Sequence, residues 1–208
     1  MSTNELAKDY VNMRYNNYIL YYLLMNTYLI FVFVLAVGRS LDLISTWLVT
    51  PDLQLESNQL MKKLGWRNSI LLNIGVIFLF PLLQLVLPGF FRGQGVVILA
   101  TLSALLAFRN LQFIPMVKTL GQKEYGERFV EYYRDSKPSI FWSALFVKHV
   151  VIFILGMLMI SAGAVKGTES IWFVGAMGNA FVFYSFSFAL LEFRIRRRAK
   201  YAAILANA

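Results

Sequence analysis

The chain has 208 residues, of which 58% are hydrophobic, and it carries a formal net charge of +9 at pH 7. This length suits one domain, and the apolar share is higher than that of an ordinary soluble domain. The absence of cysteine excludes disulfides, haem–thiolate centres and iron–sulfur clusters, and the single histidine, His149, excludes a multi-histidine metal site.

Long apolar blocks predict five membrane-spanning helices, because a helix needs about 20 mostly apolar residues to cross a bilayer. The blocks cover residues 18–50, 68–87, 95–116, 139–162 and 170–192. No short hydrophobic stretch with a small-residue cleavage site is present, so we expect the first block to remain as a membrane anchor. The predicted fold is an all-α integral membrane helical bundle that forms one domain over residues 1–208.

The first block is long for a single span. As one helix, residues 18–50 measure about 50 Å, against a hydrocarbon core of about 30 Å. Either this helix projects beyond the bilayer, or it breaks near Gly38 and leaves 39–50 as a short interfacial helix. In the first case Asp42 and Thr46, four residues apart, share a face inside the bundle.

Two polar segments, 51–64 and 122–136, predict amphipathic helices at the membrane interface. Thr50 followed by Pro51 is typical of a helix start, and Gly65 predicts the end of that helix. If 51–64 is helical, Glu56 and Asn58 point about 200° apart and cannot serve one site. An irregular loop would allow them to do so.

Positive charge is distributed unevenly between the two predicted sides of the membrane. One side carries Lys62, Lys63, Arg67, Lys118, Lys123, Arg128, Arg134, Lys137, Arg194, Arg196, Arg197, Arg198 and Lys200. The other carries only Lys8, Arg14, Arg92 and Lys166. Because cytoplasmic loops are enriched in Lys and Arg, we predict a cell-membrane protein with its N-terminus outside and its C-terminus in the cytoplasm.

Polar residues within or beside the apolar blocks form a candidate ligand-binding site: Asp42, Thr46, Glu56, Asn58, Arg109, Asn110, Lys148 and His149. From their positions in the spans, Asp42, Arg109 and Lys148 should lie at a common depth, about 12 Å below the cytoplasmic surface. A charge buried alone there costs about 2.5–3.5 kcal/mol, so we expect Asp42 to pair with Arg109 or Lys148 rather than with Arg39 alone. The alternative is that both cations reach the headgroups while Arg39 pairs locally with Asp42.

The pattern Asp42-x3-Thr46-x9-Glu56-x-Asn58 resembles the Asp…Thr…Glu-x-Asn-Pro signature of a group of uncharacterised small polytopic membrane proteins of bacteria and archaea. The resemblance covers about twenty of the 208 residues, and Gln59 stands where the signature has proline. It implies that these four residues act together, but it implies no particular activity.

Three functions fit these features. The first is transport or binding of an ion or small polar ligand, which needs inward-facing polar groups and interrupted helices. The second is an accessory subunit, with other membrane proteins or a second copy as partner. The third is a membrane enzyme that holds a hard divalent cation at Asp42, Asp52 and Glu56, but no nucleophile–base pair supports it.

The partners that the sequence predicts are membrane lipids. Anionic lipids suit the basic C-terminal segment, where several positive charges follow the last span directly. We expect no nucleic-acid partner, because the positive charge falls in short segments between apolar blocks rather than on one polar surface.

Overall fold

The computed structural model describes residues 3–56, 58–87, 93–165 and 172–206. These residues form six helices and no strands: α1 (Thr3–Val49), α2 (Gln59–Leu85), α3 (Gln94–Leu120), α4 (Gln122–Asp135), α5 (Pro138–Val165) and α6 (Trp172–Ala206). Within them, five stretches are long and apolar enough to cross a membrane: Ile19–Val49, Gln59–Leu85, Gln94–Leu120, Pro138–Gly163 and Phe173–Ala202. The predicted all-α membrane bundle is confirmed.

Helix α1 continues through Gly38 without a break, so the alternative of a separate interfacial helix at 39–50 is wrong. Gly38 is buried where α1 crosses α3, and a Cβ atom there would lie 2.9 Å from both Cα and O of Ala100. At 1.5 Å per residue, the apolar part of α1, Ile19–Val49, spans about 46 Å, which exceeds the hydrocarbon core. The helix must therefore tilt in the membrane or extend beyond it.

The predicted helix at 51–64 is wrong in its first half. After Val49 the chain makes a tight turn, in which the N–H of Leu53 donates to the carbonyl of Thr50 at 3.0 Å. Leu53 has φ 59, a left-handed conformation that a helix cannot contain. The Thr50 hydroxyl accepts from the N–H of Leu55 at 3.1 Å, so it closes this turn instead of capping a helix that starts at Pro51.

The helix predicted to begin at Pro51 begins instead at Gln59, eight positions later, and is continuous with the predicted span at 68–87 as α2. Its N-cap is Asn58, whose side-chain oxygen accepts from the N–H of Leu60 at 3.0 Å, and Gln59 is the first helical residue. The backbone of Gly65 (φ 68, ψ 176) interrupts α2 at the position where the sequence predicts a helix end. The segment between Asn58 and Gly65 is therefore a short helical start that breaks before the main span.

The helices pack in two groups that α3 and α6 join. Helices α1, α2 and α3 enclose a small core around Leu35 and Val96. Helices α5 and α6 touch where Gly156 meets Gly178, as the small residues of these spans predict.

Helix α4 lies outside the five spanning stretches, and its amphipathic character is confirmed. The rings of Tyr125, Phe129 and Tyr133 form a row on one face, with neighbouring centroids 5.9 and 4.8 Å apart. This row contacts Phe113 of α3 and Phe141 of α5. The opposite face carries the predicted ion pair between Arg128 and Glu124, with N and O 2.6 Å apart.

Candidate functional site

A cavity of about 320 Å³ lies between α1, the turn before α2, the start of α2, and α3, with one side chain from α6. Its apolar wall consists of leucines, Met61 and Phe188. Its polar lining is Arg39, Asp42, Thr46, Glu56, Asn58, Ser69, Asn73, Arg109 and Asn110. Six of the eight predicted site residues therefore line one cavity, and Lys148 and His149 do not.

Arg39 links three helices at the base of this cavity. Its Nε donates to Asn73 Oδ1 of α2 at 2.6 Å, and its Nη1 donates to Ser103 Oγ of α3 at 3.2 Å. Nη1 also lies 3.3 Å from Asp42 Oδ2, three residues along α1. The expected pairing of Asp42 with Arg109 or Lys148 is therefore wrong, because the local i,i+3 spacing on an unbroken α1 brings Arg39 to Asp42 first.

Asn110 connects α3 to the same face of α1. Its side-chain amide donates to Thr46 Oγ1 at 3.0 Å and to Ser45 Oγ at 3.2 Å. Ser45 in turn donates to the carbonyl of Asp42 at 2.9 Å. Thr46 and Asn110 thus orient each other in the cavity wall.

Glu56 and Asn58 share the cavity because the segment before α2 is irregular, which decides between the two alternatives that the sequence leaves open. Glu56 Oε1 accepts from the backbone N–H of Asn58 at 2.7 Å. Within the described part of the chain, the Glu56 carboxylate has no lysine, arginine or histidine nitrogen within ion-pair distance. Its negative charge faces the cavity uncompensated. Asp52, by contrast, is exposed and does not line the cavity.

Arg109 presents a second uncompensated charge to the cavity. Its guanidinium carbon lies 4.3 Å from the ring centre of Phe188 and 5.6 Å from that of Phe113. Its Nε is buried without a hydrogen-bond partner, and no carboxylate among the described residues forms an ion pair with it. The aromatic faces stabilise the cation in part, while its N–H groups remain available to another acceptor.

Lys148 and His149 belong to a second cluster, which Glu192 of α6 organises. Lys148 Nζ lies 2.7 Å from Glu192 Oε1, and His149 Nε2 lies 3.5 Å from the same oxygen. Glu192 is not among the site residues predicted from the sequence. An isolated carboxylate inside an apolar block is the signal that could have found it, since the same signal selects Asp42.

Two tyrosines of α4 lie close to these charged groups. Burial raises the pKa of Tyr133, and the Glu192 carboxylate beside it raises that pKa further. Burial also raises the pKa of Tyr125, against the opposing effect of the Arg109 cation. Because a phenol already has a pKa near 10, both side chains remain neutral at physiological pH and offer hydrogen bonds without adding charge.

Among the residues that the structure describes, no group of three or more His, Asp or Glu side chains converges as a metal site. The proposed trio of Asp42, Asp52 and Glu56 is not assembled, since only two of the three line the cavity. The arrangement suits hydrogen bonding and ion pairing with a bound molecule more than coordination of a hard cation, which takes 6–8 oxygen ligands in the case of Ca²⁺.

All four residues of the signature, Asp42, Thr46, Glu56 and Asn58, line this cavity. Comparisons of the chain with protein-family models, with curated proteins and with solved structures found no match. The resemblance of these four residues to that signature therefore stays a prediction.

Proposed function

We propose that this membrane protein binds a small polar or charged ligand in the cavity between α1, α2 and α3. The observation that carries the proposal is the pair of uncompensated charges on the cavity wall, Glu56 and Arg109. Arg109 lies inside a spanning helix, where an ionisable group is energetically unfavourable unless something pairs with it. Glu56 lies in the turn between α1 and α2 and has no ion-pair partner among the described residues. A bound ligand would supply the missing partners.

The remaining polar groups support a prebuilt site. Arg39 and Asp42 neutralise each other, and Asn73 and Ser103 hold Arg39 in place. Asn110 fixes the hydroxyl of Thr46. Binding sites combine a mostly apolar wall with a few oriented polar groups, and this cavity has that composition.

Transport is the form of binding that the helix interruptions favour. The turn at Leu53 and the break at Gly65 flank the segment that carries Leu60, Met61 and Leu64 into the cavity wall. Many transporters place their sites beside discontinuous helices, because the helix ends and the unwound backbone supply polar groups to the substrate. Within this proposal the short helical segment from Asn58 to Gly65 would open and close the cavity.

Water access distinguishes a ligand site from a closed packing gap. Leu106 lines the cavity. A cysteine at this position should react with a charged, water-soluble methanethiosulfonate in washed membrane fragments, where the reagent reaches both sides of the membrane. A cysteine at Phe108, on the same helix but with 63% of its surface exposed on the outside of the bundle, should react far more slowly. The reason is that a thiol in lipid does not ionise to the reactive thiolate.

The wild type contains no cysteine, so it gives no background, and a cysteine at Glu131 of α4 serves as the exposed control. The proposal would be contradicted if the cysteines at positions 106 and 108 both failed to react with the reagent and the native mass equalled that of the chain alone. A slow reaction at position 106 with a native mass above that of the chain would instead show that the cavity is filled.

We further propose that the cavity opens to the cytoplasm, because the turn at its rim is followed by Lys62 and Lys63, within the more basic set of segments. A cysteine added at Ser2 should then be labelled by an impermeant maleimide in intact cells, and one added at Ala208 only after the cells are opened. Labelling of both positions in intact cells, or of neither until the cells are opened, would refute an odd number of spans. Labelling of position 208 alone in intact cells would show the opposite orientation.

A further inference from the structure

We propose that the ligand of this cavity is a small zwitterion, with a cationic amine at one end and an anionic phosphate or carboxylate at the other. This inference rests on the proposed function, since it names the chemical class that the same cavity would bind. The lipid headgroup phosphoethanolamine and its water-soluble glycerol ester both have this chemistry.

The charges of the cavity wall are balanced in number but not in space. Arg39 and Asp42 form a closed pair. Glu56 and Arg109 also have opposite charges, yet they do not pair with each other, although both line the cavity. The wall therefore carries one negative and one positive charge without an ion-pair partner in the described part of the chain, at different places on the cavity lining.

A single ion would satisfy only one of these two positions. A bound cation would pair with the Glu56 carboxylate but leave Arg109 without an acceptor. A bound anion would pair with Arg109 and leave Glu56 without a cation, since the only hydrogen bond that its carboxylate receives from the described residues comes from the neutral backbone N–H of Asn58. Because, within the described ranges, Arg109 has a buried N–H without an acceptor and Glu56 has no counter-charge, a molecule that carries both charges fits the wall better than either ion alone.

The donor and acceptor types also match a zwitterion. A carboxylate such as that of Glu56 only accepts hydrogen bonds, which suits the N–H groups of a primary ammonium. A guanidinium such as that of Arg109 only donates, and its planar fork matches two oxygens of a phosphate or carboxylate. The rings of Phe113 and Phe188 contact that guanidinium. Its Nε–H has no acceptor among the described residues and is left for an anion.

The size of the cavity restricts the ligand to a small molecule or a headgroup. Its volume of about 320 Å³ lies at the lower end of the range of ligand pockets, roughly 300–1,000 Å³. The apolar part of the wall, which includes Leu60, Leu64 and Leu106, suits the short hydrocarbon part of such a molecule. A bulky solute with several charges would find neither the space nor the partners.

Three soluble probes test the proposal on the purified full chain, with binding measured by calorimetry. Glycerophosphoethanolamine carries both charges, glycerophosphoglycerol carries only the anion, and ethanolamine carries only the cation. We expect the zwitterion to bind at least about tenfold more tightly than either half-probe, since each charged hydrogen bond is worth roughly this factor. Equal or tighter binding of a half-probe would overturn the zwitterion.

Two variants, each of which removes one charge from the cavity wall, test which residue binds which end of the zwitterion. In Arg109→Gln, the preference for the zwitterion over ethanolamine should disappear while ethanolamine binds as before. In Glu56→Gln, the preference over glycerophosphoglycerol should disappear while that anion binds as before. Arg128→Gln, on the exposed face of α4, is the matched control and should leave all three affinities unchanged.

A lipid source is separated from a soluble one by native mass spectrometry of protein ejected from nanodiscs. Retention of phosphatidylethanolamine over phosphatidylglycerol, lost in Glu56→Gln, would identify the headgroup as the ligand even if the soluble ester binds weakly. If neither the soluble zwitterion nor phosphatidylethanolamine binds while the cysteine at position 106 is water-accessible, the ligand class is wrong and the proposed function still stands. If that cysteine is inert and the native mass is that of the chain alone, the proposed function itself fails.

Discussion

Replacement of Arg39 with methionine is expected to lower the free energy of unfolding by about 3–5 kcal/mol, the loss typical when one partner of a buried ion pair is removed. The side chains of Arg39 and Asp42 are 21% and 16% exposed, so water screens this pair only weakly. Methionine retains the length of the apolar stem, so most of the loss would come from the guanidinium. Its removal leaves Asp42, Asn73 and Ser103 without their shared donor.

Unfolding in mixed micelles with increasing dodecyl sulfate measures this change. Arg128→Met is the control, because it breaks the exposed pair with Glu124 and should change stability by less than about 1 kcal/mol. The double variant Arg39→Met, Asp42→Asn should recover part of the loss, since it removes the unpaired carboxylate as well. An effect of Arg39→Met no larger than that of the control would show that the three-helix link contributes little.

The spans and the inward face of α1 could be predicted from the sequence because they follow from short-range regularities. Apolar length fixes the spanning helices, and the four-residue spacing of Asp42 and Thr46 places them on one face of a helix. Arg109 and Asn110 stand out because polar groups inside spans are rare. These features need no knowledge of which helix packs against which.

The start of α2 could not be predicted in the same way, since two cap signals compete there. Thr50-Pro51 and Asn58 are both good helix starts, and the choice depends on the backbone of Leu53 between them. A positive φ at a leucine has no sequence signal. The consequence is functional, because only the irregular path brings Glu56 and Asn58 to the same cavity.

The partner of Lys148 could not be predicted because it depends on tertiary contact. A common depth places Lys148 level with Asp42 but does not say on which side of the bundle it lies. Since α5 packs against α6, the carboxylate within reach is Glu192, 44 residues away in sequence. A common depth in the membrane therefore suggests that Lys148 and Asp42 share a site, whereas the packing of the helices places them in different clusters.

The contact between α5 and α6 predicts a second large effect, at Gly178. A Cβ atom there would lie 2.6 Å from the carbonyl oxygen of Gly156 and 2.8 Å from the backbone nitrogen of Ile160. Backbone atoms cannot turn aside as a flexible side chain does, so the two helices would have to separate. We expect Gly178→Ala to lower the free energy of unfolding by about 1–3 kcal/mol, the range for overpacked sites.

Gly75 of α2 provides the matched control, because the same substitution there meets no atom within 4 Å. Alanine favours a helix over glycine by about 0.5–1 kcal/mol, so Gly75→Ala should leave stability unchanged or raise it. The opposite signs of the two substitutions separate close helix packing from helix propensity. The same titration with dodecyl sulfate measures both, and a gain in stability at Gly178 equal to that at Gly75 would contradict the close approach of α5 and α6. Separation of these helices would also disturb Phe188 on α6, which holds Arg109, so Gly178→Ala should weaken binding of glycerophosphoethanolamine while Gly75→Ala leaves it unchanged.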